Sequence, residues 1–304
     1  MVDRRYLIAG GAGYFGARLA EALSADAMVT ITRRSLPPHR AAWIERTGIE
    51  AVAFDSARDS EFPTHDRFDA VINLAMPGAA DVSRDAAAGR AQAHVTAKAC
   101  LRLLDAGRAT RLIHISTFHV YGGAGRASYD EMDTPVPVTP YGQLHLEIER
   151  MVLEDRRAVA LRPSNMVGAP AHADLGDQAR LLFLDLCRQA ARGRITLHND
   201  GLSYRDFVPF VDAIAAVRLL LDCDLDGYRL FNVARGEALR LDAAAALIRE
   251  VAGVAPAVEF GDGQDAYRVP FTVNVDRLNS RGWQPRGSLA REVADTVRFF
   301  RECA

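Results

Sequence analysis

The sequence has no long apolar run, few cysteines and almost no net charge. No stretch of its 304 residues approaches the ~20 consecutive apolar residues that a membrane-spanning helix needs, so we expect no membrane partner. The formal net charge of −2 gives no basic footprint for nucleic acid, and we expect no such partner. Because 49% of the residues are hydrophobic, the chain can still bury one large core or two modest ones.

The four cysteines match neither a metal knuckle nor a disulfide framework. They are Cys100, Cys187, Cys223 and Cys303, and no two of them form a Cys-x-x-Cys pair. The histidines show no ligand spacing either, so the sequence predicts no metal site. We interpret the cysteines as the reduced thiols of a cytoplasmic protein. The absence of a signal-peptide pattern agrees with that expectation.

Short apolar segments alternate with helical patterns over the first half of the chain. Predicted strands lie at residues 6–9, 28–34, 50–55, 69–75, 111–116 and 158–168. This alternation indicates βαβ units, and hence an α/β fold with a doubly wound parallel sheet of Rossmann type. We predict a dinucleotide-binding domain at residues 1–165 plus 206–234. A smaller, interleaved C-terminal substrate lobe is predicted at residues 166–205 plus 235–304.

A glycine pattern joins the first predicted strand to the first helix. Gly10, Gly13 and Gly16 are spaced G-x-x-G-x-x-G, with Tyr14 and Phe15 between the last two. Glycines let the backbone turn tightly and approach a pyrophosphate, whose charge meets the N–H groups at a helix N-terminus. Because the pattern stands between a strand and a helix, it is a specific signal. We therefore predict that these five residues bind a dinucleotide.

The residues after the second and third strands predict which dinucleotide binds. A carboxylate after the second strand would accept hydrogen bonds from the adenosine ribose, but the sequence has Arg33 and Arg34 there. Guanidinium groups suit a 2′-phosphate, so we favour NADP(H). NAD(H) is possible if the two arginines are only solvated. Asp55 ends the third strand, where it can meet the adenine amine, and Ser56 follows it.

Six short segments occur in the order found in one enzyme family. They are STFHVYG, PYGQLH, LRPSNMVGAP, GLSYRDFVPFVD, FNVARGE and RGWQP. With the glycine loop, they resemble the extended short-chain dehydrogenase/reductase family, in particular its nucleotide-sugar epimerases, dehydratases and reductases. The resemblance covers nearly the whole chain. It implies a nucleotide-sugar substrate and an NAD(P)-dependent reaction.

The resemblance assigns roles to individual residues. Tyr141 stands for the catalytic tyrosine, and Thr117 for the hydroxyl group that polarises the substrate oxygen. His119 is either a second acid/base group or a histidine that fills a loop. Asn165 and Arg205 stand where the family contacts its substrate, the arginine at the pyrophosphate. The other implied cofactor contacts are Leu74, Ala75, Ser116 and Pro163.

Departures from the family pattern argue against two of the reactions that the family catalyses. Dehydratases carry an Asp-Glu pair after the catalytic threonine, whereas this chain has Phe118 and His119. Elimination needs a carboxyl acid and base there, so the sequence argues against 4,6-dehydration. The same absence argues against nucleotide-sugar decarboxylation. A second departure is His145, which replaces the family lysine four residues after the tyrosine.

Tyr141 and His145 are one helical turn apart, so their side chains share a face. A free tyrosine has a pKa near ~10, and it needs a nearby cation before it can take a proton at neutral pH. Imidazole, with a pKa near ~6.5, is a poor permanent cation, although it can still hold the nicotinamide ribose. The pair therefore favours reduction, in which Tyr141 protonates the developing alkoxide and Thr117 stabilises its charge.

The main prediction is a 4-ketoreductase that acts on a nucleotide-linked keto-sugar. The first alternative is a nucleotide-sugar epimerase with tightly bound NAD. The second is a catalytically weakened dinucleotide-binding protein with a regulatory or scaffold role, which the loss of the lysine motivates. The resemblance also implies a homodimer, in which helices near residues 94–106 and 140–154 of each subunit pack together.

Overall fold

Strands and helices alternate along the chain in the computed structural model, which describes residues 4–123, 125–175, 181–224, 227–263 and 266–303. The strands are β1 Arg5–Ala9, β2 Met28–Arg33, β3 Glu50–Ala53, β4 Ala70–Asn73, β5 Leu112–Ile115, β6 Ser128–Tyr129, β7 Ala158–Pro163, β8 Asn165–Val167, β9 Thr196–Asn199, β10 Tyr204–Arg205, β11 Phe207–Pro209, β12 Leu230–Val233, β13 Leu239–Arg240, β14 Glu259–Gly263 and β15 Thr272–Val273. The helices are α1 Tyr14–Leu23, α2 Pro38–Thr47, α3 Ala79–Arg84, α4 Ala86–Asp105, α5 Pro140–Leu153, α6 Leu182–Ala191, α7 Phe210–Asp222, α8 Leu241–Ala252, α9 Asp276–Asn279 and α10 Leu289–Glu302. No helix in the described ranges is long and apolar enough to cross a membrane.

Seven strands form one sheet in the order β3-β2-β1-β4-β5-β7-β12. From β3 to β7 each neighbouring pair is parallel, and Ile8 of β1 lies opposite both Ile31 of β2 and Ile72 of β4. The strand order reverses between β1 and β4, which is where α/β sheets open a crevice at the carboxyl ends of their strands. The predicted doubly wound α/β fold is therefore confirmed.

Both faces of this sheet are covered. Leu7 and Ile8 are consecutive in β1 and point to opposite faces, yet neither is exposed. On one face Leu7, Val71 and Leu112 share a core cluster with residues of α4 and with Ile148 of α5. Burial on both faces explains why these strands read as continuous apolar runs in the sequence.

The chain divides into two compact units that interleave along the sequence. Unit 1 comprises Met1–Gly122, Thr134–Arg162 and Ala216–Phe231, and unit 2 comprises Gly123–Asp133, Pro163–Ala215 and Asn232–Ala304. In unit 2, helices α6, α8 and α10 share an apolar core. Helix α10 contributes Leu289, Val293 and Val297 to that core, and their spacing of four residues forms a single stripe.

The glycine loop packs tightly because Gly16, near the start of α1, lies against the backbone of the loop itself. A β-carbon at position 16 would stand 2.5 Å from the carbonyl oxygen of Gly10. Helix α1 can therefore begin this close to β1 only because residue 16 has no side chain. Gly89, inside α4, is different, since a β-carbon there would meet no atom nearer than 3.5 Å.

Gly16→Ala is expected to lower the free energy of unfolding by about 1–3 kcal/mol, because the added methyl group must displace backbone atoms. Gly89→Ala is the matched control within a helix. It should raise the free energy of unfolding by about 0.5–1 kcal/mol through helix propensity. Urea denaturation measures both values. Equal effects of the two substitutions would contradict the close approach at Gly16.

Candidate active site

The glycine loop lies at the point where the strand order reverses. Helix α1 begins at Tyr14 after the N-cap Gly13, so the N-terminus of the helix directly follows the loop. The Gly10 N–H donates to Thr32 Oγ1 (2.9 Å), which ties the loop to the end of β2. On the β4 side, a β-carbon at Gly10 would stand 2.9 Å from the backbone nitrogen of Ala75. Residues at the ends of β1, β2 and β4 thus meet at this loop, as in dinucleotide sites.

Most other residues predicted to contact the cofactor follow the carboxyl ends of strands. Because these strands are parallel, their carboxyl ends share one edge of the sheet. Arg33, the last residue of β2, is half-buried and Arg34 is exposed. Pro163, the last residue of β7, belongs to unit 2. The residues that follow β3, β4 and β5 are Asp55, Ser56, Leu74, Ala75 and Ser116.

Helix α5 is placed by its first residues. Thr139 caps the helix by accepting the Gly142 N–H on Oγ1 (3.1 Å), and Pro140 stands in the first turn, where no N–H is needed. A β-carbon at Gly142 would lie 2.6 Å from the carbonyl oxygen of His119. Since residue 142 is glycine, the start of α5 can lie directly on the 3₁₀ turn at Phe118–Tyr121.

This close approach brings the side chains of Tyr141 and Thr117 together. The Thr117 hydroxyl group lies beside the Tyr141 phenol and acts to lower its pKa. The ring of His119, which is exposed, lies edge-on to that of Tyr141 with 5.8 Å between the ring centroids. Burial raises the pKa of the Tyr141 phenol above its usual value of 10, and the Thr117 hydroxyl group offsets only part of this. Tyr141 is therefore protonated at neutral pH.

His145 lies next to Tyr141, with 4.4 Å between the ring centroids. The side chain is buried, and burial lowers its pKa to about 3, with smaller contributions from the neighbouring His114 and His119. At neutral pH His145 is therefore uncharged. It cannot supply the cation that would make Tyr141 more acidic. The four residues predicted as catalytic thus lie within one cluster of unit 1.

Sequence reasoning missed the contribution of His114 and Asn73 to this cluster. Asn73 ends β4, and His114 lies opposite it in β5. Asn73 Oδ1 accepts the Ala75 N–H (3.2 Å), so its Nδ2 group is left to donate to His114 Nδ1 (3.3 Å). His114 accordingly carries its proton on Nε2, and burial lowers its pKa to about 3. In the sequence, the only sign of this contact was that β4 and β5, which are otherwise apolar, each contain one of these polar residues.

Several polar side-chain atoms in this region are buried without a hydrogen-bond partner among the described residues. Within the described residues, no hydrogen-bond partner is found for Arg33 Nε, Ser116 Oγ or either ring nitrogen of His145. Such atoms cost free energy unless a ligand or water satisfies them. With the N–H groups of the glycine loop, they fit a ligand rich in phosphate and hydroxyl oxygens, such as a nicotinamide dinucleotide.

A buried ion pair fixes α5 to β7. Arg162 binds Glu149 through both carboxylate oxygens, with Nη2–Oε1 at 2.6 Å and Nε–Oε2 at 2.9 Å. The guanidinium group also lies over the ring of Tyr121, 4.7 Å from its centroid. Both contacts are favourable for arginine, whose planar fork matches a carboxylate and whose face stacks on aromatic rings. They hold α5 and the 3₁₀ turn in place around Tyr141.

Asn165 and Arg205, predicted to bind substrate, lie in unit 2 around the buried Asp206. Asn165 Nδ2 donates to the backbone oxygen of Asp206 (2.8 Å), and Arg205 precedes Asp206 in the chain. The Asp206 carboxylate accepts the Ser164 hydroxyl and the Gly236 N–H (2.9 Å). Burial raises the pKa of Asp206 to about 6, although these hydrogen bonds oppose the shift. The network fixes the local backbone of both predicted residues.

Comparison with known protein families decides which family these features represent. A family model described as "NAD dependent epimerase/dehydratase family" matches residues 6–234, from β1 to β12. The chain belongs to this family. The matched range includes every residue that we predicted to be catalytic. The predicted membership in the nucleotide-sugar branch of extended short-chain dehydrogenases is confirmed, and with it the prediction of an enzyme.

Curated relatives are distant. UDP-glucose 4-epimerase of Mycolicibacterium smegmatis is 26% identical over 324 residues, which cover 98% of each chain. The dTDP-D-glucose 4,6-dehydratase of Bos taurus is 22% identical over 207 residues. That match covers 64% of this chain and 57% of the dehydratase, so the likeness extends over little more than half of that relative.

Solved structures with the same fold span the whole chain. UDP-N-acetylglucosamine 4-epimerase from Methanobrevibacter ruminantium, in complex with UDP-N-acetylmuramic acid, has a TM-score of 0.86 at 19% identity and covers 100% of both chains. UDP-glucose 4-epimerase of Thermus thermophilus, in complex with NAD, has a TM-score of 0.79 at 22% identity. It covers 99% of this chain and 100% of that one. At these identities the likeness shows the fold alone.

The comparisons support one of the alternative predictions better than the main one. The family description names NAD, and three of the four proteins described above are 4-epimerases. The main prediction of a 4-ketoreductase is not confirmed, and neither is a preference for NADP(H). The alternative of a nucleotide-sugar epimerase with NAD agrees better with the family.

Acid should destabilise the protein through His145. The pKa of this side chain is about 3 in the folded chain, and it is near 6.5 when the chain unfolds. Between these values the unfolded state binds a proton that the folded state does not, so stability is lost as the pH falls from about 6.5 toward 3. His145→Gln should reduce this loss by up to about 1.4 kcal/mol per pH unit, measured by urea unfolding at pH 7 to 5.

The control for this prediction is His39→Gln, because His39 is exposed. That variant should keep the wild-type dependence of unfolding free energy on pH. If His145→Gln shows the same slope as the wild type, the buried and uncharged imidazole is contradicted.

Proposed function

We propose that the protein is a nucleotide-sugar 4-epimerase that uses NAD. One observation carries the proposal, which is the cluster around Tyr141 in the unit that contains the glycine loop: its ring packs against those of His119 and His145, and Thr117 lies beside its phenol. A tyrosine that is held in place can take a proton from a sugar hydroxyl group in its phenolate form and later return it from its phenol form. Family membership and the 4-epimerases among the similar proteins support the same reaction.

Epimerisation consists of two opposite redox steps at one carbon. As a phenolate, which the positive charge of bound NAD would favour, Tyr141 Oη would accept the hydroxyl proton in the oxidative step and give it back in the reductive step. Thr117 would donate a hydrogen bond to the same sugar oxygen and stabilise the charge that develops on it. NAD, when bound, supplies the acceptor and then the donor of the hydride. No reductant is consumed overall, because the hydride returns to the carbon from which it left.

The buried polar atoms of unit 1 that lack a partner indicate which residues would hold the dinucleotide. The N–H groups after Gly13 would bind its phosphates. The Ser116 hydroxyl and the ring nitrogens of His145 would form hydrogen bonds with its sugar hydroxyl groups, which would satisfy the atoms that have no partner in the described chain. His145 would thereby contribute binding without charge.

A keto-sugar reductase is the second candidate, and the uncharged His145 favours it. Tyr141 keeps its proton beside a neutral imidazole, and a reductase needs a proton donor at this position. A reductase consumes one NADPH or NADH per turnover, whereas an epimerase consumes none. The demand for added cofactor therefore separates the two candidates. A weakened regulatory or scaffold protein would bind dinucleotide and turn over in neither assay.

The test measures the cofactor content and the turnover of the purified protein. We expect mass spectrometry of the denatured protein to detect released NAD. We also expect the protein to interconvert UDP-glucose and UDP-galactose without added cofactor. Tyr141→Phe should lower kcat by a factor of about 10²–10⁴, because it removes the group that transfers the proton. Tyr228→Phe, at an exposed tyrosine of the same unit, should keep wild-type turnover. Both variants should retain the bound dinucleotide.

Two outcomes would contradict the epimerase. Turnover that depends on added NADPH and a keto-sugar would support the reductase in its place. Full activity of Tyr141→Phe would exclude both enzyme candidates, since each requires this phenol as the proton-transfer group.

Arg33 and Arg34 should let the site accept NADP(H) as well as NAD(H). Replacing both with serine is expected to weaken NADPH binding by a factor of about ten or more, because a hydrogen bond to a charged group contributes about 1.5–3 kcal/mol. NADH binding should stay within about twofold, since NADH has no 2′-phosphate. Isothermal titration measures both affinities, with Arg18→Ser in α1 as the control. Equal weakening of both cofactors would show that the arginines do not read the 2′-phosphate.

Several expectations stay predictions. They are an acid/base role for His119, a cytoplasmic location, the predicted domain boundaries, and a homodimer through helices near residues 94–106 and 140–154.

A further inference from the structure

Tyr267 has a backbone conformation that L-residues with bulky side chains rarely adopt. Its φ is +62°, and among the described residues it is the only non-glycine residue with a positive φ. The β-carbon makes this region unfavourable, and glycine would occupy it without that cost. Strain of this kind persists where the surroundings hold the residue in place, and it is found preferentially at ligand-binding sites.

Neighbouring contacts in unit 2 hold Tyr267 in this conformation. Its carbonyl oxygen accepts the Tyr204 N–H (2.8 Å). The next residue, Arg268, forms hydrogen bonds with both carboxylate oxygens of Asp200, each at 2.7 Å. The ring of Tyr267 lies 5.7 Å from that of Phe271 between centroids. The backbone is therefore fixed at the strained residue and directly after it.

The Tyr267 ring supports the side chain of Arg205. The guanidinium carbon of Arg205 lies over the ring, 5.0 Å from its centroid. This is within the range of a cation–π contact, which orients a guanidinium group by its face. One edge donor, Nη1, binds the Tyr204 carbonyl oxygen (2.8 Å). Because a stacked guanidinium keeps its N–H donors in the plane of the group, such a contact suits recognition of a phosphate by the edge.

A glycine at position 267 would satisfy the backbone without strain, so the side chain must account for the tyrosine. We propose that Tyr267 is a positioning residue that orients the Arg205 guanidinium group to bind the diphosphate of a nucleotide-sugar. This inference rests on the proposed function for its ligand. It adds one residue to the predicted substrate-binding residues of unit 2, and no sequence motif indicated that residue.

The experiment compares Tyr267→Gly with Tyr267→Phe. Tyr267→Gly removes both the ring and the strain, whereas Tyr267→Phe keeps the ring and removes only the hydroxyl group. With UDP as the probe in isothermal titration, we expect Tyr267→Gly to bind about tenfold more weakly than the wild type. Tyr267→Phe should bind within about twofold of the wild type. Tyr267→Gly should melt at or above the wild-type temperature, because it relieves the positive φ.

A purely structural role would give a different result, in which Tyr267→Gly changes stability and leaves UDP binding unchanged. That result would overturn the inference, and so would equally weak binding by Tyr267→Phe, which would assign the effect to the hydroxyl group. Tyr228→Gly, at an exposed tyrosine of unit 1, is the matched control and should bind UDP as the wild type does.

A measurement without ligand separates this inference from the proposed function. The Nε–H resonance of Arg205 in ¹H–¹⁵N spectra should be shifted by the ring current of Tyr267. It should move in Tyr267→Gly and stay near the wild-type position in Tyr267→Phe. A resonance unaffected by Tyr267→Gly would overturn the inference. Failure of the wild type to bind UDP, with the ring-current shift present, would contradict the nucleotide-sugar function and support the placement of Arg205 by Tyr267.

Discussion

The close approach of α5 to the carbonyl group of His119 is the constraint on which the candidate site depends. It exists because residue 142 carries no side chain. Since Tyr141 precedes Gly142 directly, this contact brings its phenol to the hydroxyl group of Thr117. His145, one turn later on the same helix, enters the buried layer between α5 and the sheet. The placement of the phenol beside Thr117 and the burial of the imidazole therefore both depend on where α5 packs.

Burial in that layer determines the electrostatics of the site. A lysine at position 145 would place an ammonium group among buried residues, where it needs a partner to offset the loss of hydration. An imidazole avoids that cost by remaining uncharged, and its pKa of about 3 shows how strongly the surroundings disfavour the cation. The consequence reaches Tyr141, which has no adjacent cation within the cluster and keeps its proton at neutral pH.

In unit 2 as well, residues that lower the stability of the fold lie beside residues with a predicted role in binding. Asp206 is a buried carboxyl group whose pKa is raised to about 6, Asn165 donates to its backbone oxygen, and Arg205 precedes it in the chain. Tyr267, which contacts Arg205, has a strained backbone. Each feature lowers stability where the residues are predicted to meet substrate. Proteins retain such local costs mainly at functional positions, and the rest of the fold stabilises them.

The sequence by itself determined the features that depend on local periodicity. Alternating apolar strands and helices predicted the sheet, the glycine spacing predicted the loop after β1, and the helical repeat placed Tyr141 and His145 on one face. Only the tertiary structure decided the contact between Thr117 and Tyr141, the hydrogen bond between Asn73 and His114, and the missing charge of His145. These depend on residues far apart in the chain and on the exclusion of water. Neither leaves a periodic pattern in the sequence, because both arise when separate elements pack together.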